Sequence, residues 1–292
     1  MVGFGQVVVG APGSGKTTYC AGLMQYFKAI GRDAVVFNMD PANEKVPYEA
    51  AVDISELVNA QKVASELSLG PNGSLLYAME FLERNMQWLD KKLVEHMNKY
   101  ILFDFPGQIE LYTHNECIRA VVQRLNRRGY RLTQVNMVDA HHCADASKFI
   151  AVLLMSATMM LQLELPAVNV LSKVDLIEQY GSLPFNLEFY TDPSDLKKLV
   201  ESLGDDPVLR NYAKLNEAIV DVVEDFPFVG YHTLDIQNKE SVMRLVNAID
   251  KSNGYMYANL DANKITYDVL VGKPEKDHRW IAEVQERYMK QR

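Results

Sequence analysis

The residues best suited to chemistry stand near the start of the chain, in Gly10-Ala11-Pro12-Gly13-Ser14-Gly15-Lys16-Thr17. Their spacing is G-x-x-x-x-G-K-[ST], the pattern of a phosphate-binding P-loop. The glycines let backbone N–H groups turn inward around phosphate oxygens, and a helix starting there adds partial positive charge. Lys16 is placed to reach β- and γ-phosphates, and the Thr17 hydroxyl to bind Mg²⁺. Gly13, Ser14, Gly15 and Thr18 complete the cradle. Such a loop specifies a nucleoside triphosphate and is silent about the base.

Three further segments could complete the chemistry. In Asp104-Phe105-Pro106-Gly107-Gln108, Asp104 ends an apolar run and is suited to hold Mg²⁺, usually through water. Gly107 could donate its N–H to the γ-phosphate, and the Gln108 amide could orient water. An Asp-x-Pro-Gly turn alone is common; the preceding P-loop is what favours a role in catalysis. In Ser172-Lys173-Val174-Asp175, Asp175 can accept from guanine N1–H and its amino group, and the Lys173 stem can lie along the base plane. Adenine has no matching donor pair and would leave the carboxylate unpaired. A polar strand end with a helix cap is the plainer alternative, and the order of strands favours guanine. In Asp40-Pro41-Ala42-Asn43, Asp40 could bind a metal-ordered or attacking water, though a strand-ending Asp-Pro turn reads nearly as well. His141, His142 and Cys143 lack a further ligand at metal-binding spacing and read as structural. Trp88 and Trp280 read as packing residues.

These residues need a scaffold that presents strand ends side by side. Strands are predicted at 7–9, 34–38, 100–104, 132–138, 167–171 and 228–236. Helices are predicted after the P-loop and at 55–67, 74–97, 149–163, 192–203, 207–225 and 239–251. In 74–97, Leu75, Met79, Leu82, Met86, Leu89 and Leu93 form one stripe. The turn before it is Gly70-Pro71-Asn72-Gly73. Alternation of strand and helix implies an α/β fold with a mostly parallel sheet covered on both faces. The expected boundaries are a P-loop domain over 1–252, with a helical insertion at about 53–98, and a polar tail over 253–292. That tail carries Trp280, Ile281, Val284 and Tyr288 at helical spacing, which predicts a docked helix.

Composition narrows the classes of partner. The 292 residues are 48% hydrophobic and 23% charged, ordinary for a globular protein. A net charge of −8 argues against a broad nucleic-acid or membrane surface. Three widely spaced cysteines, Cys20, Cys117 and Cys143, suggest neither a disulfide framework nor a zinc ribbon, and point to a reducing compartment. Met1-Val2-Gly3-Phe4-Gly5 leads straight into a strand and leaves no room for a signal peptide. The apolar stretch 149–163 reads as a buried helix too short to span a bilayer.

Taken together, the motifs resemble those of the GPN-loop GTPases, a P-loop NTPase family named for a Gly-Pro-Asn insertion, here Gly70-Pro71-Asn72. The likeness rests on Gly13 to Thr18, Asp40 to Asn43, Asp104 to Glu110 and Leu171 to Leu176, and reaches to about Tyr255. The segments 236–241 and 250–255 point to one eukaryotic branch. The resemblance implies a GTP-hydrolysing, Mg²⁺-dependent switch that dimerises through its nucleotide face, as a homodimer or with a paralogue. It gives Asn72 the role of stabilising transition-state charge in the partner subunit. It further implies service in assembly and nuclear import of RNA polymerase II, with polymerase subunits or assembly factors as partners and no direct nucleic-acid or membrane contact. The location implied is cytoplasmic, or shuttling to the nucleus. One stretch departs from the family: Val229-Gly230-Tyr231-His232-Thr233-Leu234 lacks the usual Ser and Pro of the last nucleotide loop, so no base contact is assigned there.

Two other classes compete. A P-loop nucleotide or polynucleotide kinase would use ATP, but usually needs an Arg-rich lid. The cluster Arg124, Arg127, Arg128 and Arg131 reads as a solvated face instead. A non-catalytic nucleotide-binding assembly scaffold would not need Lys16, Thr17, Asp104 and Gln108 all in place.

Overall fold

The computed structural model describes residues 2–43, 45–181, 183–192, 196–203, 212–225, 229–258 and 278–289. Its seven strands are β1 (Gly3–Gly10), β2 (Ala34–Asn38), β3 (Ala50–Asp53), β4 (Tyr100–Asp104), β5 (Tyr130–Asp139), β6 (Ala167–Ser172) and β7 (Tyr231–Leu234). They lie in the order β3-β2-β4-β1-β5-β6-β7. The registered pairs β1/β4, β1/β5, β2/β3, β2/β4 and β6/β7 are all parallel, and helices cover both faces. The expected α/β fold is therefore met. Strands buried on both faces explain the unbroken apolar runs Val7-Val8-Val9 and Ile101-Leu102-Phe103, every one of them fully buried.

The chain divides into two compact units, one of residues 1–137 with 158–167, the other of 138–157 with 168–292. In the first, α1 (Lys16–Ala29) packs Tyr19, Cys20, Leu23 and Phe27 against β1, β2 and β4. The insertion folds as α2 (Ala60–Leu67), α3 (Pro71–Arg84) and α4 (Met86–Glu95). After β4 come α5 (Glu110–Thr113) and α6 (Cys117–Arg127). Arg124 of α6 and Arg128, which caps its end, both pair with Asp90 of α4.

Three expectations for this unit are corrected. Strand β3 was not anticipated, because four residues, of which only Val52 is buried, carry too little pattern. The single helix expected over 74–97 breaks at Asn85, whose Nδ2 donates to Phe81 O at 2.7 Å and whose backbone leaves helical geometry. Gly70-Pro71-Asn72-Gly73 is a helix start rather than a free turn: Pro71 occupies the first position of α3, where its missing N–H costs nothing.

The second unit holds the end of β5, the strands β6 and β7, and α8 (Leu187–Thr191), α9 (Lys197–Leu203), α10 (Ala213–Glu224), α11 (Lys239–Asn253) and α12 (His278–Tyr288). Helix α7 (Ala146–Leu163) runs through both units. It begins at Ala146, before the expected 149, and at 18 residues is not too short, being long and apolar enough to cross a membrane by length and composition, yet it buries Phe149, Ile150, Leu153, Met159 and Leu163 as a core helix does. The starts expected for the last strand at 228 and for the helix at 207, and tail residues 259–277, lie outside the described residues. Helix α12 buries Trp280 and Val284.

Candidate nucleotide site

In the first unit, β1 delivers the P-loop and β4 delivers Asp104 from neighbouring positions: Val8 stands opposite Asp104 in register. Gly15 adopts φ 93°, a left-handed conformation that turns the chain into α1. Lys16 is buried, and its Nζ donates to the carbonyls of Gly10 at 3.0 Å and Ala11 at 3.1 Å. Burial lowers the Lys16 pKa, while Asp104 and Asp40 pull it the other way. An ammonium folded back on its own loop is poised to exchange two carbonyls for phosphate oxygens.

The Asp104 carboxylate is buried and asymmetric. Tyr48 Oη donates to its Oδ2 at 2.7 Å, while Oδ1 is buried without a hydrogen bond. Burial raises its pKa, against the hydrogen bonds from Tyr48 and Thr17. A buried, unpartnered carboxylate oxygen is costly unless something positive meets it. Thr17 Oγ1 accepts from Asn43 Nδ2 at 3.1 Å. An anionic oxygen with a hydroxyl beside it is a hard-ligand set that fits Mg²⁺. Asp40 caps its own turn, its Oδ1 accepting from Ala42 N at 3.0 Å, and burial raises its pKa too.

The loop after β4 presses on the P-loop. A Cβ at Gly107 would lie 2.6 Å from Lys16 Nζ and 3.0 Å from Pro12 N, so a larger residue would have to displace the lysine and press on the loop backbone. Next to it, Gln108 Nε2 donates to Asn72 Oδ1 at 3.0 Å. The structure thus gathers Gly13, Ser14, Gly15, Lys16, Thr17, Asp40, Asp104 and Gly107 around one loop, with Asn72 and Gln108 paired at its rim. Thr18 is exposed on the first turn of α1. Tyr48 was missed by sequence reasoning.

The second unit contains the base-reading candidates. Ser172 Oγ donates to Val138 O at 3.0 Å, locking the end of β6 to β5. Lys173 has φ 58°, and its Nζ meets Asp139 Oδ2 at 2.5 Å. Although burial raises the Asp139 pKa, Lys173 and His141 hold the carboxyl below its ordinary range. Asp139 also orients Lys173, a function no local motif announced. Asp175 is exposed in the first turn of a 3-10 helix, Val174–Tyr180. Partial burial raises its pKa, and the nearby Asp235 carboxylate adds to the rise.

The strand expected over 228–236 is met by β7, Tyr231–Leu234, with Leu234 opposite Ser172, so the stretch 229–234 set beside the family's last nucleotide loop is largely strand. The loop at the nucleotide-facing, carboxyl end of that strand begins at Asp235.

Comparison with known proteins bears on the whole chain. A family model described as a conserved hypothetical ATP binding protein matches residues 8–255. The chain is 51% identical over 262 residues to GPN-loop GTPase 2 of Danio rerio, covering 90% of this chain and 84% of that one. It is 49% identical over 289 residues to GPN-loop GTPase QQT1 of Arabidopsis thaliana, covering 98% and 97%. Its fold is similar to a crystal structure of a GTPase in apo form from Pyrococcus abyssi, with TM-score 0.68, 23% identity and coverage of 88% and 98%. With relatives of that identity covering most of both chains, and with a P-loop, a buried strand-end aspartate and a Gly-Pro-Asn helix start of its own, the chain belongs to the GPN-loop GTPase family.

Proposed function

We propose that this protein binds GTP with Mg²⁺ and hydrolyses it to GDP and phosphate. The observation that carries the proposal is the cluster of Lys16, Thr17 and Asp104, with a buried carboxylate oxygen awaiting a cation. Thr17 Oγ1 and Asp104 Oδ1 would hold Mg²⁺, which supplies neutralisation of β- and γ-phosphate charge. Lys16 leaves the Gly10 and Ala11 carbonyls for phosphate oxygens. The Gly107 N–H reaches the γ-phosphate, and Gln108 orients the attacking water. Asp175 reads guanine N1–H and the amino group, with Ser172 and Lys173 framing the base.

The working form is a dimer, with itself or with a paralogue. Asn72, presented by Gly70 and Pro71, stabilises transition-state charge across the dimer. In the single chain Asn72 Oδ1 accepts from Gln108, which leaves the Asn72 NH2 group as the donor for a partner's phosphate oxygens. Family resemblance extends the proposal to assembly and nuclear import of RNA polymerase II by a cytoplasmic or shuttling protein, with no direct nucleic-acid or membrane partner.

The test is nucleotide binding with and without Mg²⁺, comparing non-hydrolysable GTP and ATP analogues while following mass in solution. Guanine selectivity with dimer formation is expected. Adenine preference would move the protein among ATP-using kinases; the matching family model is described only as ATP binding. Background hydrolysis even with a paralogue present would leave a scaffold.

A further inference from the structure

Within the second unit, β6 and β7 run parallel with Ser172 opposite Leu234. Lys173 and Asp235 therefore leave the sheet side by side, one into the guanine-reading segment and the other into the loop after β7. Asp235 is buried and its groups are engaged: Oδ1 accepts from Gln237 N at 2.9 Å, Oδ2 accepts from Tyr288 Oη at 2.5 Å, and its own N–H donates to Ser241 Oγ at 3.1 Å. Tyr288 is the last residue of α12.

Helix α12 packs along both the 3-10 helix Val174–Tyr180, which begins with the Asp175 turn, and α8. Gln285 Oε1 accepts from Leu187 N at 3.0 Å, and His278 meets Glu188 at 2.6 Å. Arg244 lies 4.7 Å over the Trp280 ring. A groove of about 780 Å³, lined by Ile177, Phe185, Ile281 and Met289 among others, stays open beside the helix. The helix is thus held by ties to α8, to Arg244 of α11 and to Asp235, and by two buried side chains, while it packs on the 3-10 helix that begins with the Asp175 turn.

We infer that α12 belongs to the guanine-reading apparatus, with Tyr288 as a positioning residue that fixes Asp235 and the loop beside Lys173 and Asp175. The inference rests on the proposal that Asp175 reads guanine. Coupling of this kind is reciprocal: if docking of α12 strengthens base binding, GDP strengthens docking of α12 by the same factor.

The experiment uses the full chain and Tyr288→Phe, which removes one hydroxyl and keeps the ring. GDP affinity is measured by calorimetry, and amide exchange is followed with and without GDP. Tyr288→Phe is expected to weaken GDP binding roughly threefold to tenfold, the range for one lost hydrogen bond. GDP is expected to slow exchange across 278–288 in the wild-type protein and less so in the variant, with exchange of residues 10–29 in the free proteins unchanged. Wild-type GDP affinity in Tyr288→Phe, or exchange in α12 indifferent to GDP, would overturn the inference. Faster exchange throughout the variant would reduce Tyr288 to a structural residue and overturn it too. A wild-type chain that binds no GDP fails at the guanine assignment itself, a result distinct from the others.

Discussion

Gln108 Nε2 donates to Asn72 Oδ1 at 3.0 Å, tying the loop after β4 to the first turn of α3. The two amides proposed for hydrolysis therefore restrain each other in the single chain. Asn72→Ala is expected to keep GTP binding and to slow turnover by roughly 10²–10³-fold, the usual scale for a transition-state donor. Single-turnover hydrolysis measures it, and a normal rate would leave Asn72 as a helix-start residue.

Lys16 makes its bonds to the carbonyls of its own loop. Lys16→Ala removes the side-chain cation at the centre of the P-loop cluster. Triphosphate affinity is expected to fall by about 3 kcal/mol or more, since hydrogen bonds to charged groups contribute ~1.5–3 kcal/mol each. Equilibrium binding reads this directly, and unchanged affinity would refute the assignment of the phosphate loop.

Tyr48 fixes which carboxylate oxygen of Asp104 remains open. In Tyr48→Phe the carboxylate can rotate, so about tenfold more Mg²⁺ should be needed to reach half-maximal tight GTP binding, as for other residues that orient a metal ligand. Affinity in excess EDTA should not change. A wild-type magnesium titration would show the phenol to be dispensable.

Asp175→Asn replaces one acceptor with a donor where guanine presents donors. The preference for GTP over ATP should drop roughly 10- to 100-fold, equivalent to ~1–3 kcal/mol for an unsatisfied polar group. Competition between the two nucleotides measures the ratio. A ratio that does not move would detach Asp175 from the base.

His142 has a pKa below the ordinary 6.5, from burial first and then from the His141 ring, 3.8 Å away between centroids. The unfolded chain therefore binds more protons at this site below about pH 6.5. Stability from His142 is present above that pH and is lost as pH falls through it and below. Denaturant melts between pH 7 and 5 should show a shallower decline for His142→Gln, and parallel curves would assign the decline to other groups.

The most legible parts were those where chemistry constrains adjacent residues. A backbone cradle demands glycines and a lysine at set spacings, and a strand that ends in a magnesium-type aspartate shows as an apolar run closed by Asp104. Tyr48 was invisible because it meets Asp104 across 56 residues with no local pattern. The break at Asn85 was hidden because the apolar stripe keeps its period across it, from Leu82 to Met86 and Leu89. The last strand was legible over 228–236 and is β7, Tyr231–Leu234, paired to β6, whereas the tie from Asp235 to Tyr288, 53 residues on, left no local pattern.

Asn72 rides at one end of α3, whose 14 residues finish at the Asn85 break. At 1.5 Å per residue that helix is about 21 Å long. It would act as a lever arm with its tip at Gln108. A tilt of about 3° at the Asn85 end swings the tip by about 1 Å, enough to part a hydrogen bond. Because α4 packs on α3, a push on α4 would be converted into freedom for Gln108, and the proposed hydrolysis would change tempo from a distance.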